Sequence, residues 1–348
     1  MERNHKVNGE QALLDSRGHI AEEGWSDRPV WKYRRQDIHA GKLRIKEWDY
    51  YAVHSFSGGW TVCVTVSDLG FAALLSVSFI DYTKGAFAQK DITKLLPLGK
   101  TGLAATSTED SSYVYQSPAM RIAMIKKDTK RHILFNVPDL VLPDGRIGID
   151  ADLTLTQSAS LRSMNIATSW AEKRTAFYLN QKINCMPASG TVRLGDDTVY
   201  LSRDDAWGVL DWGRGVWTRE NTWYWGSASG LVDGNRFGFN IGYGFSDRTP
   251  ASENCIFFNG KVHKLDDVQF ILPDTGFTDP WKFTSSDGRF EMTFRTAVDR
   301  SADTSIPLVR SIQHQVFGYF TGNAVLDNGN TVHIENFPGF AEKVYNKW

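Results

Sequence analysis

Cysteine is scarce in this chain: three in 348 residues, at Cys63, Cys185 and Cys255. An odd, widely spaced set forms neither a disulfide framework nor a zinc-ligand pattern, so the thiols read as buried and free. Charge of one sign is lacking too. Lys and Arg number 39 against 40 Asp and Glu, a net charge of −1, and without a basic face no nucleic-acid partner is expected. No apolar run reaches the roughly 18 residues of a membrane span. The N-terminal stretch is polar and has no apolar centre of a secretion signal, so a cytoplasmic protein is expected. Helical stripes are almost missing; Asp91–Leu98 is the best short candidate. Cofactor motifs are missing as well. There is no Gly-x-Gly-x-x-Gly between a strand and a helix, no Walker loop, no Gly-x-Ser-x-Gly and no His-Glu-x-x-His. No cofactor and no metal site is expected, and His263, His314 and His333 fall into no ligand spacing.

Aromatic residues are what the chain has in quantity, at 13% with 12 tryptophans. Trp207, Trp212, Trp217, Trp223 and Trp225 crowd into Trp207–Gly226, together with Asp211 and Arg214. A carboxylate is costly to bury without a partner, and tryptophan is costly to expose. The density therefore means either a packed knot with an internal ion pair or an aromatic-walled pocket.

Period-two alternation dominates the rest. Trp48, Tyr50, Ala52, His54 and Phe56 share one strand face and Glu47, Asp49, Tyr51 and Val53 the other. Gly58-Gly59 turns this run into Trp60–Val66, and Phe71–Asp81 follows as a third antiparallel strand. Ser112–Lys126, Arg131–Leu140, Ile147–Leu155 and Ala176–Ile183 continue the series, with Pro143-Asp144-Gly145 as a turn. Hairpins are expected at Gly195-Asp196-Asp197, Asn259-Gly260, Asp287-Gly288 and Asn328-Gly329. In Arg236–Phe245 the aromatic and aliphatic residues fall on one face; Gly238, Asn240, Gly242 and Gly244 fall on the other. That glycine face leaves room for the Trp223 and Trp225 indoles or for a ligand. Many short strands with turn signals and few helices define an all-β fold. Two lipocalin-like antiparallel barrel or sandwich units in tandem fit the length, 1–187 with a lead-in strap and 188–348 carrying the Trp-rich stretch.

The order of motifs resembles the DUF2804 family. It runs Lys46-Glu47-Trp48-Asp49-Tyr50-Tyr51, Asp211-Trp212-Gly213-Arg214-Gly215, Trp223-Tyr224-Trp225-Gly226, Asn240-Ile241-Gly242, Glu253-Asn254 and Gln315-Val316-Phe317-Gly318. That family is distantly similar to the AttH and carotenoid 1,2-hydratase group. The resemblance implies two lipocalin-like barrels, in an architecture whose relatives include hydratases of isoprenoid double bonds and cyclases of polyketide-type substrates. A shared fold alone assigns no chemistry.

Candidate catalytic residues are Asp211, Glu253 and His314. Asp211 among tryptophans is a general acid if its pKa is raised, whereas pairing with Arg214, three residues on, lowers it. Glu253, in a loop entering a strand, is a second acid/base group or a loop hydrogen-bond acceptor. His314, on an apolar face, is a proton shuttle or a satisfied core histidine. Candidate ligand-binding residues are Trp48, Tyr50, Trp212, Arg214, Trp217, Trp223, Trp225, Asn240 and Asn254. The Glu47 and Asp49 pair reads as surface charge.

Three functions remain open. The first is a cofactor-independent enzyme protonating a small apolar or isoprenoid-like molecule, of hydratase, lyase or cyclase type, with aromatic faces shielding a cation. The second is a non-catalytic small-molecule binder. The third is a carbohydrate-active enzyme, whose carboxyls lie roughly 5–5.5 Å apart for retention or 6.5–9.5 Å for inversion. In each the partner is a small molecule.

Overall fold

In the computed structural model, which describes residues 3–306 and 309–348, alternation becomes strand throughout. The N-terminal strap contributes three short strands, β1 (Gln11–Ala12), β2 (Gly24–Ser26) and β3 (Trp31–Lys32), and two 3-10 turns at Arg35–Asp37 and Lys42–Arg44. A meander follows: β4 (Ile45–Ser55), β5 (Trp60–Asp68), β6 (Ala72–Asp81) and β7 (Ala86–Leu95). Then come β8 (Ser111–Gln116), β9 (Arg121–Lys127), β10 (Lys130–Val141), β11 (Ile147–Thr156), β12 (Met164–Trp170), β13 (Lys173–Leu194) and β14 (Asp197–Val216). The last group is β15 (Glu220–Val232), β16 (Asn235–Tyr243), β17 (Cys255–Phe258), β18 (Lys261–Lys264), β19 (Val268–Ile271), β20 (Trp281–Ser285), β21 (Phe290–Ile306), β22 (Val309–Val325) and β23 (Thr331–Lys347). The described residues contain no α-helix, and no helix is long and apolar enough to cross a membrane. Asp91–Leu98, expected as a short helix, is the end of β7 and the turn after it. Its residues pair with β6, from Asp91↔Ser76 to Leu95↔Ala72, so ladder hydrogen bonds override a weak local preference.

Apart from a parallel β1–β3 pair in the strap, the strands form two curled antiparallel sheets. The first has twelve strands in the order β7-β6-β5-β4-β14-β13-β11-β10-β9-β8, with β12 and β2 continuing beside β13. The second has nine, β18-β17-β16-β15-β23-β22-β21-β20-β19. The chain changes sheet between Val216 and Glu220, not near residue 187. β13 and β14 pair from Phe177↔Val216 to Leu194↔Asp197, and β14 pairs with β4. The long β13–β14 hairpin therefore carries Trp207–Val216 in the first sheet, and only Trp223 and Trp225 lie in the second.

Alternation assigns every side chain a side. In β14, Leu210, Trp212 and Val216 enter the core inside the first sheet, with Phe79, Phe135 and Leu179. Val209 faces the opposite way, into a cluster where Tyr50, Ala52 and Cys63 of the first sheet meet Trp225, Phe317 and Phe340 of the second. A neighbouring cluster joins Trp25, Trp170, Tyr178 and Trp217 to Phe245 and Phe257. A third core, inside the second sheet, is built from Phe237, Phe239, Phe283, Phe294 and Phe320. The sheets thus share an aromatic seam. All three cysteines are buried and free.

Candidate functional site

A cluster of buried polar residues interrupts this seam. In β13, Tyr178, Asn180, Lys182 and Asn184 alternate with Phe177, Leu179 and Ile183, so the polar set faces the second sheet. Lys182 sits opposite Asp211 in the ladder. Its ammonium lies 3.0 Å from Asp211 Oδ2 and 3.9 Å from Glu253 Oε2, and 3.9 Å from the centre of the Trp225 ring. Asn180 donates to Asp211 Oδ1 at 2.5 Å. One buried ammonium thus serves two buried carboxylates.

Glu253 reaches the seam from the segment between β16 and β17. Asn254 clamps that segment, accepting from Gly242 N at 2.7 Å and donating to Asp266 O at 2.9 Å. Lys264 donates to Ser252 Oγ and Asn254 O, and the N-terminal strap ties the outside through His5 N to Pro250 O. The glycine face of β16 makes the space. A Cβ at Gly242 would stand 2.9 Å from Glu253 Oε1, so alanine there would push against the carboxylate. Trp225 lies opposite Gly242 in the ladder. Its indole donates to Asn240 Oδ1 at 2.7 Å, and Asn240 donates in turn to Glu253 O and Oε2.

A third carboxyl completes the cluster. Glu342 of β23 accepts from Trp223 Nε1 at 2.9 Å and from Gln315 Nε2 at 3.0 Å. Gln315 also contacts the Tyr50 hydroxyl at 3.3 Å and accepts from Arg300 Nη1 at 2.5 Å. Burial pushes the Glu342 carboxyl up to about 7, against the Trp223 hydrogen bond and the Lys182 and Arg300 charges, with Asp211 adding to the rise. Burial likewise raises Glu253, with Lys182 and Asn240 pulling back. The Tyr178 phenol is held far above its ordinary range by burial and by the Glu253, Asp211 and Glu342 charges. The Asp211 charge adds to the rise at both glutamates through a dry, aromatic medium.

Several residues singled out in the sequence converge here. Asp211, Glu253, Asn240 and Trp225 join around Lys182, and Trp223 and Tyr50 join through Glu342 and Gln315. Trp217 packs against Trp48, Trp223 and Phe245, and Trp48 stacks on Tyr178, so both wall the seam. Asn254 sits behind it as the loop clamp. His314 is elsewhere. It neighbours Gln315 on β22 but faces the other way, bonded to Asp299 Oδ2 at 2.9 Å and stacked on Phe277 at 3.7 Å.

Trp212 and Arg214 lie on the opposite face of β14 from Asp211, so the expected local Asp211–Arg214 pair does not form. Residues three apart on a strand point to opposite faces. Arg214 bonds Asp49 Oδ1 at 3.0 Å and the Trp48, Gly213 and Ala104 carbonyls. Glu47 and Asp49 are accordingly not surface charge. Glu47 is buried and binds Arg35 at 2.6 Å and the Tyr33 hydroxyl at 2.7 Å, and burial raises the Asp49 carboxyl despite Arg214. Lys182, Tyr178, Gln315, Arg300 and Glu342 were missed. Lys182 carried a signal, a polar face of period two in Tyr178–Asn184; Glu342 carried none beyond its place in an apolar run.

Two curled sheets joined by an aromatic seam define the class first. The chain is similar to the structure of CghA with Sch210972, at a TM-score of 0.57 and 12% identity, covering 88% of this chain and 89% of that one. It is similar also to a protein of Nitrosomonas europaea described as an AttH, at 0.52 and 11%, covering 90% and 94%. A structure of kievitone hydratase from Nectria haematococca aligns at 0.48 and 9%, covering 92% and 96%. The fold is that of the AttH-type, lipocalin-like tandem proteins. No curated protein sequence matches the chain. The chain belongs to the DUF2804 family, a domain of unknown function, whose profile matches residues 4–348.

Proposed function

We propose that this protein is a cofactor-independent acid/base enzyme acting on a small apolar or isoprenoid-like molecule held in the seam, with hydratase, lyase or cyclase chemistry. The observation that carries the reading is Glu342, a carboxyl buried among tryptophans whose pKa is pushed up to about 7. A general acid is most effective when its pKa lies near the working pH. Glu342 donates the proton to a substrate double bond. Asp211 and Glu253 stand on the Lys182 ammonium, and their carboxylates favour the cation formed on the substrate. Glu253, also raised, is the group placed to take a proton back or to activate water. Substrate enters by displacement of the segment carrying Glu253, since the seam is closed around these side chains. The fold likeness to CghA and AttH supports the architecture of such an enzyme. The carbohydrate reading gains less, because Asp211 and Glu253 lie buried on one ammonium instead of flanking an open trough.

The test is conversion of a panel of polyenes, enones and isoprenoid alcohols in D2O. The reading predicts solvent deuterium on a product carbon, and a loss of about a hundredfold or more in Glu342→Gln. Undiminished turnover by a folded Glu342→Gln would remove Glu342 as the acid.

A further inference from the structure

The other face of β13 and β14 leads to a separate space. Trp212, with Leu179 and Gln181, borders an open cavity of about 460 Å³ that is also lined by Trp31 and Tyr33 of the N-terminal strap. Small-molecule sites span roughly 300–1,000 Å³. Nothing in the seam chemistry uses this cavity: Asp211 and Lys182 point away from it, and Asn180, which borders it, donates to Asp211 from the intervening strand.

We propose that the cavity is a second binding site, for a neutral ring-containing small molecule. Three aromatic side chains supply the walls, and they are held open. Tyr33 meets Trp212 edge-on at 6.3 Å and 88°, and the Arg214 guanidinium lies 4.2 Å from the Trp212 ring centre. Arg214 is itself fixed by Asp49 and three carbonyls, so the indole loses its cation–π partner if it folds into the space. The charges at the rim point to a neutral molecule. Lys32 is paired with Glu10 at 3.1 Å and Arg34 with Asp37 at 2.9 Å, so an anion meets no unpaired base there, and Glu109 stands in solvent. The site is independent of the seam reading: each can fail without the other.

The experiment is titration with N-phenyl-1-naphthylamine, a neutral two-ring fluorophore that brightens in apolar surroundings. Thr106 and Thr108 border the cavity and are not buried, so Thr106→Trp and Thr108→Trp fill the mouth without disturbing the core. Saturable binding by the wild type is expected, weakened about tenfold or more in at least one of these variants and unchanged in Glu342→Gln. Circular dichroism confirms that each variant is folded. No saturable wild-type binding, wild-type affinity in both mouth variants, or an equal loss in Glu342→Gln overturns the proposal.

Discussion

Trp223 donates its indole N–H to Glu342 across neighbouring strands at 2.9 Å, and this bond does not keep the carboxyl in its ordinary range. Burial outweighs it and sets the Glu342 pKa at about 7. A raised carboxyl stabilises the fold only while both folded and unfolded chains hold the proton. As pH rises from about 4.5 to 7 the unfolded chain ionises first, and stability falls by about 3 kcal/mol. Urea unfolding should therefore show the wild type losing about that much relative to Glu342→Gln between pH 4.5 and 8. Parallel curves for the two proteins would contradict it.

Lys182 is the one ammonium within 4.0 Å of Asp211 and Glu253 among the described residues. Lys182→Met leaves two buried carboxylates without it, a loss of about 3–5 kcal/mol at neutral pH. Because protonation relieves an unpaired carboxylate, the deficit should shrink as pH is lowered towards 4. A deficit that is small at pH 8, or independent of pH, would show the pair to be solvated.

His54 is buried, with Nδ1 2.7 Å from Thr61 Oγ1 and 3.1 Å from the Tyr82 hydroxyl, and burial lowers it to about 4. Between pH 6.5 and 4 the unfolded chain takes up a proton that the folded chain refuses. The wild type should lose about 3 kcal/mol relative to His54→Phe as pH falls through that window. Thermal melts at pH 7 and pH 4.5 read the difference, and a constant offset between the two proteins would contradict it.

Gly213 lies against the Trp48 indole, and a Cβ added there would overlap the ring. Trp48 cannot yield freely because it packs on Tyr178 and Trp217. Gly213→Ala should cost about 1–3 kcal/mol by overpacking. It should also disturb the seam, which near-ultraviolet circular dichroism of the tryptophans detects; an unchanged spectrum and midpoint would contradict it.

Much of the architecture was legible because a period of two encodes a strand face directly. The hairpin turns at Gly58-Gly59, Gly195-Asp196, Asn259-Gly260, Asp287-Gly288 and Asn328-Gly329 all join paired strands, and Trp225 does lie opposite the glycine face. The site was legible only in part. Asp211 and Arg214 looked like neighbours because they are close in sequence, yet a strand sends them to different compartments. Lys182 meets Asp211 by strand pairing across 29 residues of chain, and Glu342, 131 residues beyond Asp211, feels its charge from the other sheet. Where one sheet ended was hidden too, since the β13–β14 hairpin reads the same whichever sheet it joins.

A carboxyl pushed up to about 7 leaves the seam holding a carboxylic acid still protonated near neutral pH. Its most direct measurement is a ¹³C NMR titration of glutamate side-chain carboxyls in the wild type and in Glu342→Gln. A resonance titrating at about 7 in the wild type and absent from the variant is the predicted result. If every glutamate carboxyl affected by the substitution titrates at the ordinary value of about 4.3, Glu342 is a solvated carboxylate and the acid assigned to this site does not exist.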